Sequence, residues 1–329
     1  MNNSRLGWID VLRFYGIVLM VVGHSGCPTL ICHMIYGFHM PLFFALSGFL
    51  YNNNKWQNKG FVEFTKNRAK AYLIPYMVWG IINLFFNSIH EAINLSFEEW
   101  GISQLKHIFW LIYSYGSKSM YPNCTPLWFL PCLFVANLFM FLMHKYFSER
   151  KRIIVVSLLS LFAFAQFKYT SIHLPWHIDI ACIGCLFMYI GMRIRQTKCL
   201  YSYNIMFCII STLIALLCIK YNTRVDMQSG NFGNPILFII GAIGCIYISL
   251  IIFSRLLDCN GLIVRVGGGK NTIVFIALNY FINDCFSSVL GYLGLPFPWW
   301  LDCIVVISIC TLTIIIFENS INKLYEKYT

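Results

Sequence analysis

Apolar runs long enough to cross a lipid bilayer recur along the whole 329-residue chain, and they restrict its fold more than any other feature. A membrane-spanning helix needs about 20 predominantly apolar residues, because every backbone polar group must be satisfied internally in hydrocarbon. Ten such segments are separated by turn residues and charges: 8–23, 34–51, 71–89, 126–143, 153–167, 176–192, 203–219, 235–253, 272–290 and 299–317. We therefore predict an all-α fold, a polytopic membrane helical bundle of about ten transmembrane helices.

The composition agrees with a membrane location and argues against a soluble protein that binds nucleic acid. Hydrophobic residues make up 58% of the chain and charged residues 11%, whereas soluble domains have about 25% charged residues. The net charge of +11 arises from basic residues in the short connections between apolar runs. Retention of such connections in the cytosol explains them. We expect membrane lipid, and not nucleic acid, as a partner.

The basic residues divide unequally between alternate connections, which predicts the orientation. Eighteen Lys and Arg residues fall in one set of connections and five in the other, with Arg13 inside a span. The smaller set comprises Lys106, Lys118, Lys168, Lys220 and Arg224. Because positively charged connections stay in the cytosol, both termini are expected to be cytoplasmic.

The longest outer connection, residues 90–125, has apolar residues at helical spacing over 102–115. This pattern predicts a helix that lies on the membrane surface or re-enters it. No linker or low-complexity segment divides the chain, so we expect a single domain over residues 1–329.

Three ionisable residues lie in the first span, where each costs free energy and is a functional candidate. Asp10 and Arg13 are three residues apart, the spacing of an ion pair on one helix face. Arg13 and His24 are eleven residues apart, about three turns, which places them on one face and roughly 16 Å apart along the helix axis. A local ion pair between Asp10 and Arg13 and a histidine at the membrane interface would explain the same residues without a catalytic role.

Further polar residues occur within the apolar runs. His39 falls in the outer half of the second span, at a depth similar to that of His24. A lone histidine there is more often a satisfied interior residue, but two on consecutive spans favour a shared polar cavity. Asp179 and Asn279 add buried polar groups in the sixth and ninth spans, whereas Asp302, nearer the outer surface, is expected to be solvated.

A basic stretch that includes Lys66, Arg68 and Lys70 precedes the third span. Cytosolic retention explains most of it, and a functional interpretation adds that basic groups at a cytosolic opening suit a ligand with several phosphates. The sequence GGGK (267–270) has Val264 and Asn271 where a phosphate-binding P-loop requires Gly and Ser or Thr, so that interpretation is rejected.

Two motifs are not demanded by membrane burial. The first span has the pattern IDVLR (9–13) and GH (23–24), with ten residues between Arg13 and His24, and the second has FHMPLFF (38–44) followed by SGFL (47–50). Both resemble the signatures of the integral-membrane acyltransferase family 3, especially its fucose 4-O-acetylase-like branch. The basic stretch 68–76, the LWFL sequence around Trp128 and the segment 179–191 resemble later landmarks of that family.

The resemblance implies an O-acyltransferase of the bacterial plasma (inner) membrane, which moves an acetyl or similar acyl group from cytosolic acyl-CoA to a hydroxyl group of a sugar or lipid-linked glycan. Acetyl-CoA would be a co-substrate, with no permanently bound cofactor and no metal. His24 is expected to act as general base or transient acyl carrier, with His39 at the oxyanion or acceptor. Arg13, with Lys66, Arg68 and Lys70, is expected to bind CoA. Residues expected to support the site or the substrate are Asp10, Ser47, Trp128, Asp179 and Asn279.

One departure from the family pattern concerns proton transfer. The family commonly has a histidine where this chain has Asn279. An asparagine can donate and accept hydrogen bonds but cannot hold a proton near neutral pH. A role in positioning the substrate is therefore still expected, and a role in proton transfer is not.

Three alternatives remain open at the level of the sequence. A transporter or flippase of a lipid-linked or small anionic substrate would also place charged groups within spans. A family member acting as a sensor or scaffold, and a metal channel built on His24, His33, Cys27 and Cys32, are the others. The sequence does not determine the acyl group, the acceptor, the oligomeric state or whether Cys27 and Cys32 form a disulfide.

Overall fold

The computed structural model describes residues 7–115, 125–170, 172–197, 200, 204–255 and 261–328, and the side chains of the last helix as far as residue 317. Within these residues the backbone is helical almost throughout, and no strand is present beyond one isolated bridge between Asp226 and Asn231. The α-helices of these residues are α1 (Gly7–His24), α2 (Thr29–Tyr36), α3 (His39–Phe49), α4 (Asn53–Trp56), α5 (Phe61–Asn94), α6 (Phe97–Tyr113), α7 (Phe129–Tyr146), α8 (Glu149–Tyr169), α9 (Ile178–Thr197), α10 (Ile205–Tyr221), α11 (Pro235–Ser254), α12 (Leu262–Val266), α13 (Thr272–Tyr292) and α14 (Trp299–Tyr328). The predicted all-α fold is confirmed.

The described part of the chain contains nine helical segments that are long and apolar enough to cross a membrane. They correspond to nine of the ten predicted spans and are Gly7–His24, Thr29–Phe49, Phe61–Asn94, Pro126–Tyr146, Glu149–Tyr169, Pro175–Thr197, Pro235–Ser254, Thr272–Tyr292 and Trp299–Phe317. The remaining predicted span is the apolar helix α10, which has 17 residues. The protein is therefore a multi-pass membrane protein, and its orientation stays a prediction.

The second predicted span, residues 34–51, is a broken helix rather than a continuous one. Gly37 and Phe38 separate α2 from α3. Pro41 accounts for the break, because its ring would clash with the carbonyl group of Gly37 and it has no N–H to donate to that group. The break places His39 at the start of a new helix.

The third span begins earlier than predicted, because α5 extends well beyond residues 71–89 at both ends. Lys66, Arg68 and Lys70 were expected in the connection before this span and instead lie on the helix itself. The stretch that carries them contains Glu, Lys, Arg and Ala, which have high helix propensity. The charge of these residues therefore marks where the apolar run begins, whereas the helix begins earlier, at Phe61.

The longest connection, predicted over residues 90–125, contains a helix, α6. Its first turn is capped reciprocally, since the Ser96 hydroxyl accepts from the Glu99 backbone N–H and the Glu99 carboxylate accepts from the Ser96 N–H. This capping box satisfies two backbone donors at the helix start. The position of α6 relative to the bilayer stays a prediction, as does the single domain.

Helices α3 and α9 pack closely through glycine residues. A Cβ atom at Gly48 would lie 1.8 Å from the carbonyl oxygen of Met188, and one at Gly184 would lie 2.4 Å from the ring of Phe44. Small residues allow helix backbones to approach in membranes, where van der Waals packing drives association. Residue 44 meets residue 184 and residue 48 meets residue 188, so the numbers rise in the same direction along both helices. Helices α3 and α9 therefore run parallel. The start of α9 therefore lies at the same end of the bundle as His39.

Candidate active site

His24 is the last residue of α1, at the end of the bundle that we call the His24 end. Its Nδ1 atom lies 3.1 Å from the hydroxyl oxygen of Tyr280 on α13 and 3.3 Å from that of Tyr36 on α2. α1 ends here because the chain turns at Ser25 and Gly26, where Gly26 has a φ of +75° that glycine adopts without steric cost. Side chains from two other helices thus converge on one nitrogen of His24.

The two hydroxyl groups leave one ring nitrogen of His24 for a substrate. No hydrogen bond to its Nε2 atom is found within the described ranges, and the residue is half-buried. A tyrosine hydroxyl can donate or accept, so Nδ1–H can donate to a tyrosine oxygen while Nε2 keeps its lone pair. In that tautomer His24 has what a general base requires, an oriented ring with one free nitrogen.

His39 lies beside the same tyrosine, in the first turn of α3. Its ring centroid is 5.1 Å from that of Tyr36, and its Nδ1 atom is 2.9 Å from the backbone oxygen of Ile35. Because a carbonyl group only accepts, Nδ1 carries the proton, and Nε2 is the acceptor in the neutral ring. The bond also satisfies a carbonyl group at the end of α2. His24 and His39 therefore belong to one cluster around Tyr36.

Asn279 precedes Tyr280 on α13 and lies next to α1, about one turn deeper than His24. Its Nδ2 atom is 3.7 Å from the Sδ atom of Met20, and both residues are buried. A thioether is a weak acceptor, so this contact uses little of the hydrogen-bonding capacity of the amide. The fold thus brings Asn279 close to His24, where an amide could position a substrate.

The face of α1 between Arg13 and His24 is packed with side chains. Met20, on this face, is 5% exposed. The ring of Phe43 lies so close to Gly16 that a Cβ atom there would be 2.8 Å from it. These side chains occupy the face between the two residues, so a ligand could pass along it only if they moved.

Arg13 and Asp10 form the ion pair that their spacing predicted. The distance from Nη1 to Oδ1 is 2.7 Å, with the carboxylate buried and the guanidinium 24% exposed. The turn between α12 and α13 covers the pair, since a Cβ atom at Gly267 would lie 2.0 Å from the Asp10 carbonyl oxygen and one at Gly269 would lie 3.5 Å from the guanidinium. Glycine is needed at position 267 because the two backbones touch there.

The N-terminal part of α5 lies at the same end of the bundle as Arg13. Trp8, near the start of α1, packs against Phe49 with ring centroids 5.6 Å apart. Tyr51, two residues further on, packs against Phe64 of α5 at 6.4 Å. We call this end of the bundle the Arg13 end.

The three basic residues of α5 are placed differently from one another. The Arg68 guanidinium lies 5.3 Å from the Trp56 ring and 5.1 Å from the Phe64 ring, so it takes part in packing. Lys66 is exposed and Lys70 is half-buried. The two lysines are therefore better placed than Arg68 to meet a phosphate-bearing ligand.

Trp128 belongs to a second cluster, which lies beside Asp179, and not to the cluster around His24. The Trp128 ring centroid is 4.7 Å from that of His177, and Tyr115 stacks on His173 at 4.4 Å. We call the four aromatic residues Tyr115, Trp128, His173 and His177 the His177 cluster. Trp128 and Asp179 were selected because their sequence motifs resemble those of the family. Motifs of that kind do not indicate which residues are neighbours in the fold.

The contacts of Asp179 are those of a structural residue. Its side chain is fully buried, and its two oxygens accept from the backbone N–H groups of Leu174 and Ile180, each at 2.8 Å. These bonds hold the turn that leads into α9. The structure thus shows a local supporting role for the carboxylate, and a role in binding the substrate stays a prediction.

Two other polar residues are also held inside the bundle. The Ser47 hydroxyl accepts from Nδ2 of Asn137 on α7 at 3.4 Å, about two turns away from His39 along α3. Asp302 was expected to be solvated, which is wrong, because it is 2% exposed and accepts from Nδ2 of Asn283 at 2.6 Å. Packing of α13 against α14 removes Asp302 from solvent.

The residues named for a metal channel have other partners. Cys27 and Cys32 are free thiols, which answers the question left open by the sequence. His33 has its Nε2 atom 2.7 Å from the backbone oxygen of Ile219. In the described part of the chain, no three His, Cys, Asp or Glu side chains are grouped closely enough to hold a metal ion.

Sequence reasoning missed Tyr36, Tyr280 and Arg224. The guanidinium carbon of Arg224 lies 4.6 Å from the centroid of the Tyr36 ring. Arg224 could have been found, since it is one of the few basic residues on the side that the positive-inside rule leaves poor in them. The tyrosines gave no comparable signal, because tyrosine is common at membrane interfaces for reasons unrelated to chemistry.

Comparison with known protein families assigns the chain to one of them. A family model described as an acyltransferase domain matches residues 6–318, nearly the whole chain. The chain belongs to membrane acyltransferase family 3. The match includes both the Arg13 end and the His24 end, and it does not distinguish the branches of the family. Searches found no significant match among curated proteins or solved structures.

Proposed function

We propose that this membrane acyltransferase moves an acetyl or similar acyl group from cytosolic acyl-CoA to a hydroxyl group of a sugar or lipid-linked glycan at the bacterial plasma membrane. This is the activity expected of the fucose 4-O-acetylase-like branch. Family membership supports acyl transfer in general. The observation that carries the proposal is the environment of His24, whose Nδ1 is held by two tyrosine hydroxyls while Nε2 is left for a reacting hydroxyl.

The acyl donor docks at the Arg13 end in this proposal. The positive-inside split predicts that this end faces the cytosol, where acyl-CoA is found. Arg13, Lys66 and Lys70 present positive charge there, and charge-assisted hydrogen bonds to phosphate oxygens are stronger than neutral ones. The Asp10 carboxylate fixes the guanidinium of Arg13 in place.

The thioester must then reach His24. The eleven residues from Arg13 to His24 span roughly 16 Å, a distance comparable to an extended pantetheine arm. Met20 and Phe43 occupy the intervening face, so donor binding requires these side chains to shift. Methionine is well suited to this, because its unbranched side chain has several rotatable bonds.

The chemistry uses the free nitrogen of His24. Nε2 accepts the proton of the acceptor hydroxyl while the hydroxyl oxygen attacks the thioester carbonyl carbon. The tetrahedral intermediate then breaks its carbon–sulfur bond, and the proton passes from the imidazolium to the leaving thiolate, which gives the ester and free CoA. A bond from Nδ1–H to a tyrosine oxygen keeps the ring oriented throughout. A covalent route, in which Nε2 briefly carries the acyl group, would use the same nitrogen.

His39 and Asn279 complete the site in different ways. Since the Nδ1–H group of neutral His39 is used by Ile35, its Nε2 atom can only accept a hydrogen bond. This favours a role in orienting the acceptor hydroxyl over a role in stabilising an oxyanion, which requires a donor. The amide of Asn279, which precedes Tyr280 on α13, is a donor close to His24 that the histidine does not already use.

The test is acylation of the surface glycan in cells that carry His24→Ala, with membrane protein level measured in parallel. We expect a loss of at least about 100-fold, the usual size of a general-base contribution. The exposed His90 on α5 provides a matched control, and His90→Ala should acylate normally. Normal acylation by His24→Ala at normal protein level would contradict the proposal.

A binding measurement separates an acyltransferase from a flippase or scaffold. Purified protein in detergent should bind acyl-CoA, and binding should weaken in Arg13→Ala while it survives in His24→Ala. A flippase or scaffold has no need to recognise acyl-CoA. Absence of acyl-CoA binding by the wild-type protein would therefore contradict the proposal that acyl-CoA is the donor.

A further inference from the structure

The connection between α10 and α11, residues 222–234, is a loop held by its own hydrogen bonds, and it lies at the His24 end. Asn222 organises it from within, since its Nδ2 donates to the Phe232 carbonyl at 3.1 Å and its Oδ1 accepts from the Asn234 N–H at 2.7 Å. Asp226 and Asn231 exchange two backbone hydrogen bonds, at 2.7 and 3.0 Å. We call this element the 222–234 loop. Its polar backbone is satisfied internally, so it can hold side chains in fixed positions.

Three buried side chains anchor the 222–234 loop to the bundle. Val225, Met227 and Phe232 are each at most 4% exposed. Phe232 contacts Phe164 of α8 and Phe238 of α11, with ring centroids 5.2 and 5.5 Å apart. Arg224 and Asp226, on either side of the anchor Val225, therefore have a defined place beside the cluster around Tyr36.

Arg224 extends from the 222–234 loop towards His24. Its guanidinium lies over the ring of Tyr36, the residue whose hydroxyl group contacts His24. Partial burial lowers the pKa of Arg224, but Cys32 and Tyr36 raise it by more, so the net direction is upward and the group is charged. Within the described residues no carboxylate forms an ion pair with it at contact distance. One of its N–H groups is engaged with the Tyr36 hydroxyl, and its other donors remain for a ligand.

Asp226 provides an acceptor two residues further along. Its Oδ1 accepts from the backbone N–H groups of Gln228 and Ser229, at 3.1 and 3.4 Å, which fixes the carboxylate. No side-chain donor to Oδ2 is found in the ranges that the structure describes. The carboxylate interacts electrostatically with Tyr36 and Tyr280, so it lies close to the same centre as Arg224.

We propose that the 222–234 loop is the acceptor-binding element of this transferase, in which Arg224 donates hydrogen bonds to, and Asp226 accepts them from, the hydroxyl groups of a sugar above His24. The inference rests on the proposed function and assigns the acceptor side of that site. Sugar hydroxyl groups both donate and accept, so they match a guanidinium and a carboxylate held side by side. A phosphate or sulfate matches less well, because the carboxylate repels it.

The experiment measures transfer with the purified full-length chain. The donor is acetyl-CoA, and the acceptor is the surface glycan isolated from a strain that lacks this protein. We expect Arg224→Ala and Asp226→Ala each to raise the KM for glycan by about 10-fold, as for loss of a hydrogen bond to a charged group. The KM for acetyl-CoA should stay within about twofold, because the donor docks at the Arg13 end, away from the 222–234 loop.

Lys220→Ala is the matched control, since Lys220 is an exposed basic residue at the end of α10. It should leave both KM values unchanged. If an alanine variant does not yield folded protein, Arg224→Lys or Asp226→Asn replaces it, and a smaller rise in the KM for glycan is expected. An unchanged KM for glycan in folded variants of both positions would overturn the inference. Failure of the wild-type protein to acylate the glycan would instead overturn the proposed function.

Discussion

The bundle holds two histidine clusters at the same end, and they differ in how the ring nitrogens are used. His24 is half-buried and has two tyrosine hydroxyls at one nitrogen. His177 is 1% exposed, and neither of its ring nitrogens has a hydrogen-bond partner in the described part of the chain. A reacting base needs both access and an oriented ring. His24 has both, whereas His177 is fixed only by packing against aromatic rings.

The backbone also distinguishes the two clusters. Trp176 and His177 have φ values of 56° and 51°, in the left-handed region that is costly for residues other than glycine. Residues held in that region persist only where the surrounding structure dictates it. Here the stacked rings and the bonds to Asp179 do so. The His177 cluster is therefore interpreted as a rigid support, which positions α9 and, through α3, His39.

The largest effect is expected from a change that forces apart α3 and α9, the two helices that join the clusters. Gly48→Ala would place a Cβ atom 1.8 Å from the Met188 carbonyl oxygen, so α3 and α9 must separate. Overpacking of this kind costs about 1–3 kcal/mol and occasionally more. We expect a lower melting temperature in detergent, less folded protein and, because His39 moves, weaker acyl transfer.

A matched control for this change is available in the same chain. Gly101 lies on α6 with no atom within 4 Å of an added Cβ. Gly101→Ala should leave the melting temperature unchanged or raise it slightly, since alanine favours a helix more than glycine does. If Gly48→Ala and Gly101→Ala have the same melting temperature and the same rate of acyl transfer, the close contact between α3 and α9 is not needed for stability or activity.

A smaller effect is expected from removal of the hydroxyl groups that distinguish His24 from His177. Tyr36→Phe and Tyr280→Phe each delete one neutral hydrogen bond and should lower kcat by about 3- to 10-fold. The double variant leaves Nδ1 of His24 without a partner and should lose about 100-fold, because the ring is then free to turn. Initial rates of CoA release with saturating donor and acceptor give the comparison.

The aromatic rings stay in place in these variants, so Arg224 keeps its contact with the ring at position 36. Tyr221→Phe, a change at an exposed tyrosine of α10, is the control and should have normal kcat. A double variant with unchanged kcat would mean that His24 needs no orientation from Tyr36 and Tyr280, and the proposed tautomer would then have to be abandoned.

Much of the fold could be predicted from the sequence because span length is a local property of the chain. The apolar runs placed the spans, and the spacing of Asp10 and Arg13 gave the ion pair. The break at Gly37 was missed although Pro41 was visible, because the run of apolar residues continues through it. The start of α5 was missed because Lys66 and its neighbours were assigned to a connection on charge alone.

The site was less predictable, because it depends on which helices become neighbours. The pairing of His24 with His39 followed from their similar depth. Tyr36 and Tyr280 are at opposite ends of the sequence, and only the packing of α2 and α13 against α1 joins them at His24. Asp179 was singled out by its burial and charge, but its backbone partners, which make it structural, depend on the turn that precedes α9.

The smallest effect is expected at His177, although it is the more buried histidine. His177→Phe replaces an unpartnered polar ring by an apolar one of similar shape, a change that is often neutral or stabilising. Phenylalanine tolerates a positive φ less well than histidine does, which opposes that gain. The free energy of unfolding should therefore change by less than about 1 kcal/mol in either direction. Acyl transfer should stay normal, whereas His24→Phe should abolish it. A loss of more than tenfold in His177→Phe at normal protein level would show that the second histidine takes part in the reaction and that access and orientation do not distinguish the two clusters.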